Sequence, residues 1–135
     1  MRSTISSSGG QPSPSSGAWY NLQGFNIVLP VGDWEGYYRI PLLLARASAG
    51  FIPGLTTLSI SNNGESSSSW TMRSATNGIP EWQISHYCSG TVTNTTKTTY
   101  YLNGMTQTTG ITAINIQAST GDSKLAVLNF TCAYL

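Results

Sequence analysis

Charge is scarce in this chain. Only 8% of its 135 residues are Asp, Glu, Lys or Arg, and the formal net charge is +1. A nucleic-acid interface needs a basic face, so that class of function is excluded, as is a polyanionic tail. Long apolar runs are also missing. The longest, Ile40 to Ala45, is too short to cross a bilayer, so no membrane insertion is expected. Met1-Arg2 leads into serines and not into an apolar stretch, so no signal peptide is visible. Cysteine occurs twice, at Cys88 and Cys132, with no close metal-binding spacing. The pair permits one internal bridge, stabilising by about 4 kcal/mol in chain-entropy terms, or two free buried thiols.

Groups for catalysis are equally sparse. The one histidine, His86, shares a strand face with Trp82, Ile84 and Cys88 and reads as a buried, hydrogen-bonded residue. Neighbours two apart on a strand point alike without meeting well, so His86 and Cys88 make a poor nucleophile pair. Asp33 and Glu35 flank Trp34 and read as solvated loop carboxylates, not as an acid pair. No phosphate-cradling glycine loop and no metal-ligand cluster is present. The sequence therefore predicts a protein that is not an enzyme and takes no cofactor.

Serine and threonine are abundant instead, with 14 glycines and 10% aromatics. That composition favours an all-β domain. After Met1, residues 1–17 contain no large apolar residue except Ile5, and read as a flexible Ser/Gly/Pro linker. From residue 18 to 135 strand-like runs alternate with turn residues. Strands are expected at Trp19-Tyr20, Phe25–Leu29, Tyr37–Ala45, Leu55–Ile60, around Trp70 and Met72, Glu81–Cys88, Thr91–Leu102, Ile111–Ala118 and Lys124–Leu135. Asn63-Gly64, Asn77-Gly78 and Asn103-Gly104 carry the strongest short hairpin signal. Pro41 removes an amide from its strand, which suggests an edge or a bulge. Some eight strands at regular spacing, without helical periodicity, predict an antiparallel β-sandwich of jelly-roll type.

The last two strands are apolar on both sides. Leu125, Val127 and Leu135 alternate with Ala126, Leu128 and Phe130, and Ile114 and Ile116 oppose Ile111 and Ala113. An antiparallel sandwich strand ordinarily has one polar face. Two apolar faces call for a second cover, which in a domain of this size without helices only another subunit is expected to supply; the alternative is a central strand with both faces covered by loops of its own chain. Leu125, Val127, Leu135, Ile114 and Ile116 are therefore the expected oligomer interface, each buried large side chain contributing about 1.5–3 kcal/mol.

For ligand contact, Trp34 between Gly32 and Gly36 stands out as an aromatic on an expected loop; the alternative is a lid folded onto the core. Asp33, Glu35, Tyr37 and Arg39 lie beside it. Trp70 and Arg73 form a second candidate at a loop edge, with Trp70 as a core residue the alternative. Trp82 and Tyr87 lie on opposite faces of one strand, so one of them is expected at a surface.

A Ser/Gly/Pro lead, an all-β body over 18–135 and an apolar terminal strand after Gly121-Asp122-Ser123-Lys124-Leu125 form a recognisable layout. It resembles the distal tip domains of trimeric viral and phage tail fibres, and the tumour-necrosis-factor and complement-globular-head jelly rolls. The resemblance implies a homotrimeric receptor-binding head on a virion, fibre or other extracellular surface, recognising a cell-surface glycan or surface protein. The alternative is a monomeric secreted lectin or carbohydrate-binding module.

Overall fold

The computed structural model describes residues 1–119 and 124–134. Leu135 and the Gly121-Asp122-Ser123 stretch lie outside them. Eight strands form: β1 (Arg2–Ile5), β2 (Gly9–Pro12), β3 (Tyr20–Leu29), β4 (Gly32–Ser59), β5 (Thr71–Asn94), β6 (Thr98–Met105), β7 (Ile111–Ile116) and β8 (Ala126–Cys132), with a 3-10 turn at Ser68–Trp70. The pairing is nested and antiparallel: β1 with β8, β2 with β7, β3 with β6 and β4 with β5. The chain is thus one long hairpin folded back at the 3-10 turn and then rolled up. This is an all-β, jelly-roll-like sandwich, as the strand spacing predicts.

Rolling is accomplished by β4, whose 28 residues serve both layers. Its first half pairs with β8 over Trp34–Arg39 and with β7 over Leu42–Arg46, while β5 flanks its other side. Its second half pairs with β6 over Leu55–Ser59. Between the halves the register with β5 shifts at Ala45–Gly50 and again before Ile52, which turns the ribbon from one layer into the other. Side chains alternate along the first half, so Trp34, Tyr38, Ile40, Leu42 and Leu44 are buried. The Tyr38 hydroxyl crosses the core to within 3.1 Å of the carbonyl oxygens of Thr56 and Trp70.

Several sequence expectations give way here. Residues 1–17 are not simply a linker, because β1 and β2 complete one layer. Backbone ladders need no apolar side chains, and small residues help: a Cβ on Gly10 would sit 2.1 Å from the Ile114 carbonyl oxygen. Met1 and Phe130 exchange backbone hydrogen bonds. Asn77-Gly78 lies within β5 beside the register shift, and Asn103-Gly104 within β6, where buried Asn103 donates to the carbonyls of Ser61 and Gly64 at 2.8 Å. The Thr-rich run expected as one strand divides between β5 and β6. Pro41 is in an interior strand, but at the gap where β4 changes partner from β8 to β7, so the missing amide interrupts no ladder there.

The expected oligomer interface is mostly interior. Ile114, Ile116 and Val127 are at most 1% exposed within a single chain, and Leu125 is half-buried. Ile114 and Ile116 pack into the shared core, and Val127 lies between Thr4 of β1 and Arg39 of β4. The N-terminal strand β1 closes the edge of β8 beside Val127, and its Ile5 packs against the core. Deleting residues 1–12 removes the β1–β8 and β2–β7 ladders and the Ile5 contact with the core, and should lower stability by about 1.5–3 kcal/mol or more, as measured by urea unfolding. Removal of a free linker would leave the midpoint unchanged.

Candidate functional site

Alternation that sends the even residues of β4 inward sends Asp33, Glu35, Tyr37 and Arg39 outward. The ladder places Thr93, Thr91, Ser89 and Tyr87 of β5 beside them in that order. On the other flank, Thr131 and Asn129 of β8 sit opposite Glu35 and Tyr37. Together these side chains line a groove of about 430 Å³ across three strands, bounded by Glu35, Tyr37, Tyr87, Ser89, Thr91, Asn129 and Thr131. The Tyr37 and Tyr87 rings stack with centroids 5.4 Å apart and planes inclined by 29°. They are diagonal cross-strand neighbours, close enough for aromatic contact. Tyr87 is 52% exposed, so its ring is available to a ligand. Just beyond the groove, Thr93 Oγ1 donates to Asp33 Oδ1 at 2.6 Å.

The groove has a stiff base. Gly36 and Gly90 face each other across the ladder, with the core rings of Phe130 and Trp70 beneath them. A Cβ on Gly36 would come within 2.5 Å of the Phe130 ring, and one on Gly90 within 3.1 Å of Trp70. The rings of Trp70 and Phe130 lie 5.7 Å apart and fill the space that side chains at those positions would need.

Trp34 is therefore core and not a ligand anchor. It is 8% exposed, and its Nε1 donates to the Pro30 carbonyl at 3.1 Å. The expected Val31–Gly36 loop is strand from Gly32 onward, and Trp34 keeps the phase of Tyr38 and Ile40. Trp70 is also buried, at 6%. Arg73 is exposed opposite Leu55, in the part of β5 that pairs with the second half of β4, away from the groove. Of the residues singled out from sequence, Asp33, Glu35, Tyr37 and Arg39 share the outer face, and Glu35 and Tyr37 line the groove itself. Tyr87 was recognisable as a face residue from alternation. Ser89, Thr91, Asn129 and Thr131 become neighbours only through cross-strand register.

A second polar cluster lies in the core. His86 is 1% exposed and bridges the layers, with Nδ1 2.7 Å from Thr56 Oγ1 and Nε2 in hydrogen-bond contact with Ser74 Oγ. Burial lowers its pKa to about 4, so the ring is neutral near pH 7. Burial likewise pushes up the Tyr38 hydroxyl and the Cys88 thiol. Cys88 and Cys132 are both free thiols, unbridged. Among the described residues, no group of three or more His, Cys, Asp and Glu is placed to hold a metal ion. No protein-family model matches the sequence, and no curated protein matches it.

Proposed function

We propose that this domain is a non-catalytic adhesion module that binds a neutral cell-surface glycan in the outer groove. The observation that carries this reading is the Tyr37–Tyr87 pair bordered by hydroxyl, amide and carboxylate groups. Aromatic faces take up the C–H side of a sugar ring, and the surrounding polar groups give direction to its hydroxyls. A stiff base favours binding because little ordering entropy is lost. One shallow site of this kind binds in the millimolar range, about −4 kcal/mol, and display in several copies raises the apparent affinity.

The fibre-tip reading and the lectin-module reading share this site and differ in copy number. A trimer would scatter light as three times the 14.4 kDa chain, and would have to use a surface other than Ile114, Ile116 and Val127. Tyr87→Ala should weaken glycan binding about tenfold, since ring contact contributes roughly 0.5–1.5 kcal/mol beyond area. The side chain points outward and loss of the Tyr37 stack should cost no more than about 1.5 kcal/mol of stability, so the variant stays folded. Unchanged affinity on a glycan array and by calorimetry would remove the groove from the account. Binding should also vary little with salt, because a neutral ligand carries no charge for salt to screen.

A further inference from the structure

A second hollow, of about 470 Å³, lies on the same outer face, and Pro41, Gln83, Ser85, Gln117 and Lys124 are among its lining residues. Its position follows from topology. β4 leaves β8 after Arg39 and joins β7 at Leu42, and the interrupted ladder at Pro41 opens the surface there. Across that gap Gln117 N–H donates to the Pro41 carbonyl at 2.8 Å. The two hollows are consecutive along the same strands. On β4 the outward positions run Glu35, Tyr37, Arg39, Pro41; on β5 they run Thr91, Ser89, Tyr87, Ser85. Arg39 and Tyr87 form the ridge between.

The geometry points to a linear, uncharged oligosaccharide that runs along β4 across both hollows, in place of a single terminal sugar. This rests on the glycan reading of the first groove and extends it. From Glu35 to Pro41 a strand rises about 20 Å, far longer than one sugar ring. The Tyr87 ring stands on the ridge, where a chain crossing from one hollow to the other must pass over it. The second hollow presents two carboxamides, Gln83 and Gln117, and the Ser85 hydroxyl, groups that both donate and accept and so suit neutral hydroxyls. Asp33, Glu35 and Glu81 are matched in number by Arg2, Arg39 and Lys124 along the face, so it offers no net charge to a polyanion.

The test is calorimetric titration of the intact chain with cello-, manno- and galacto-oligosaccharides, from the monosaccharide to the hexasaccharide. In the series that binds, affinity should rise about tenfold between the shortest and the longest members, through hydrogen bonds in the second hollow. Gln83→Ala combined with Gln117→Ala should remove that rise and leave monosaccharide affinity unchanged. Ser85→Ile, which narrows the hollow with a branched apolar side chain and offers no aromatic face, should do the same. Thermal unfolding of each variant checks that the fold is intact. Equal affinity for short and long members overturns the extended site while the first groove stands. Binding of no member overturns the glycan reading and the extended site together.

Discussion

Replacing Phe130 with alanine is expected to lower the unfolding free energy by about 3–5 kcal/mol. Phe130 is fully buried, and its ring meets Trp70 on one side and the bare backbone of Gly36 on the other. A cavity at that point cannot close easily. Gly36 and Gly90 have no side chains to move in, and the ladders of β4, β5 and β8 hold the walls apart. The loss therefore belongs at the upper end for such truncations, a large share of the roughly 5–15 kcal/mol that stabilises a typical domain. Guanidinium unfolding of wild type and variant measures it. A loss below about 1 kcal/mol would mean that Phe130 does not support the groove.

Acid should weaken the fold well before its carboxylates are fully protonated. His86 has its pKa lowered to about 4 by burial, against an ordinary value near 6.5. Between those values the unfolded chain binds a proton that the folded chain refuses, so stability falls as pH falls. The contribution is complete above about pH 6.5 and lost on approach to pH 4, amounting to about 3 kcal/mol. Tyr38 and Cys88, the titratable neighbours on β4 and β5, have pKa values raised by burial and stay neutral throughout. Urea midpoints measured from pH 7 to 4 should fall steadily in the wild type. In His86→Gln the same series should be flatter. A wild-type midpoint constant over that range would contradict the assignment.

Much of the fold is legible in the sequence where alternation is strong. The Glu81–Cys88 run has the facing predicted from it, with His86 buried and Tyr87 exposed. The even residues from Tyr38 to Leu44 are equally plain. Expectations fail where one residue type serves two physical ends. Gly10 and Gly36 look like flexible or loop glycines, yet they permit close approach of backbone and ring. Asn103-Gly104 looks like a hairpin turn, yet Asn103 holds the loop carbonyls of Ser61 and Gly64 from within a strand. Trp34 follows the core phase of its strand, but its flanking glycines suggest a loop. The two-sided apolar ribbon in β8 is real, Val127 being buried within the single chain, and the edge of β8 is paired by β1, whose polar composition conceals a strand. The groove is less legible than the fold. Tyr37, Tyr87 and Asn129 are distant in sequence and meet only through the registers of β4 with β5 and β8.

Amide chemical-shift mapping during titration with the monosaccharide of the series that binds tests the groove most directly. The account predicts that perturbations concentrate on Glu35, Tyr37, Tyr87, Ser89, Thr91, Asn129 and Thr131, and that Tyr87→Ala suppresses them. Saturable shifts centred on Arg73 or on the opposite layer, with the Tyr37–Tyr87 face unmoved, would contradict it.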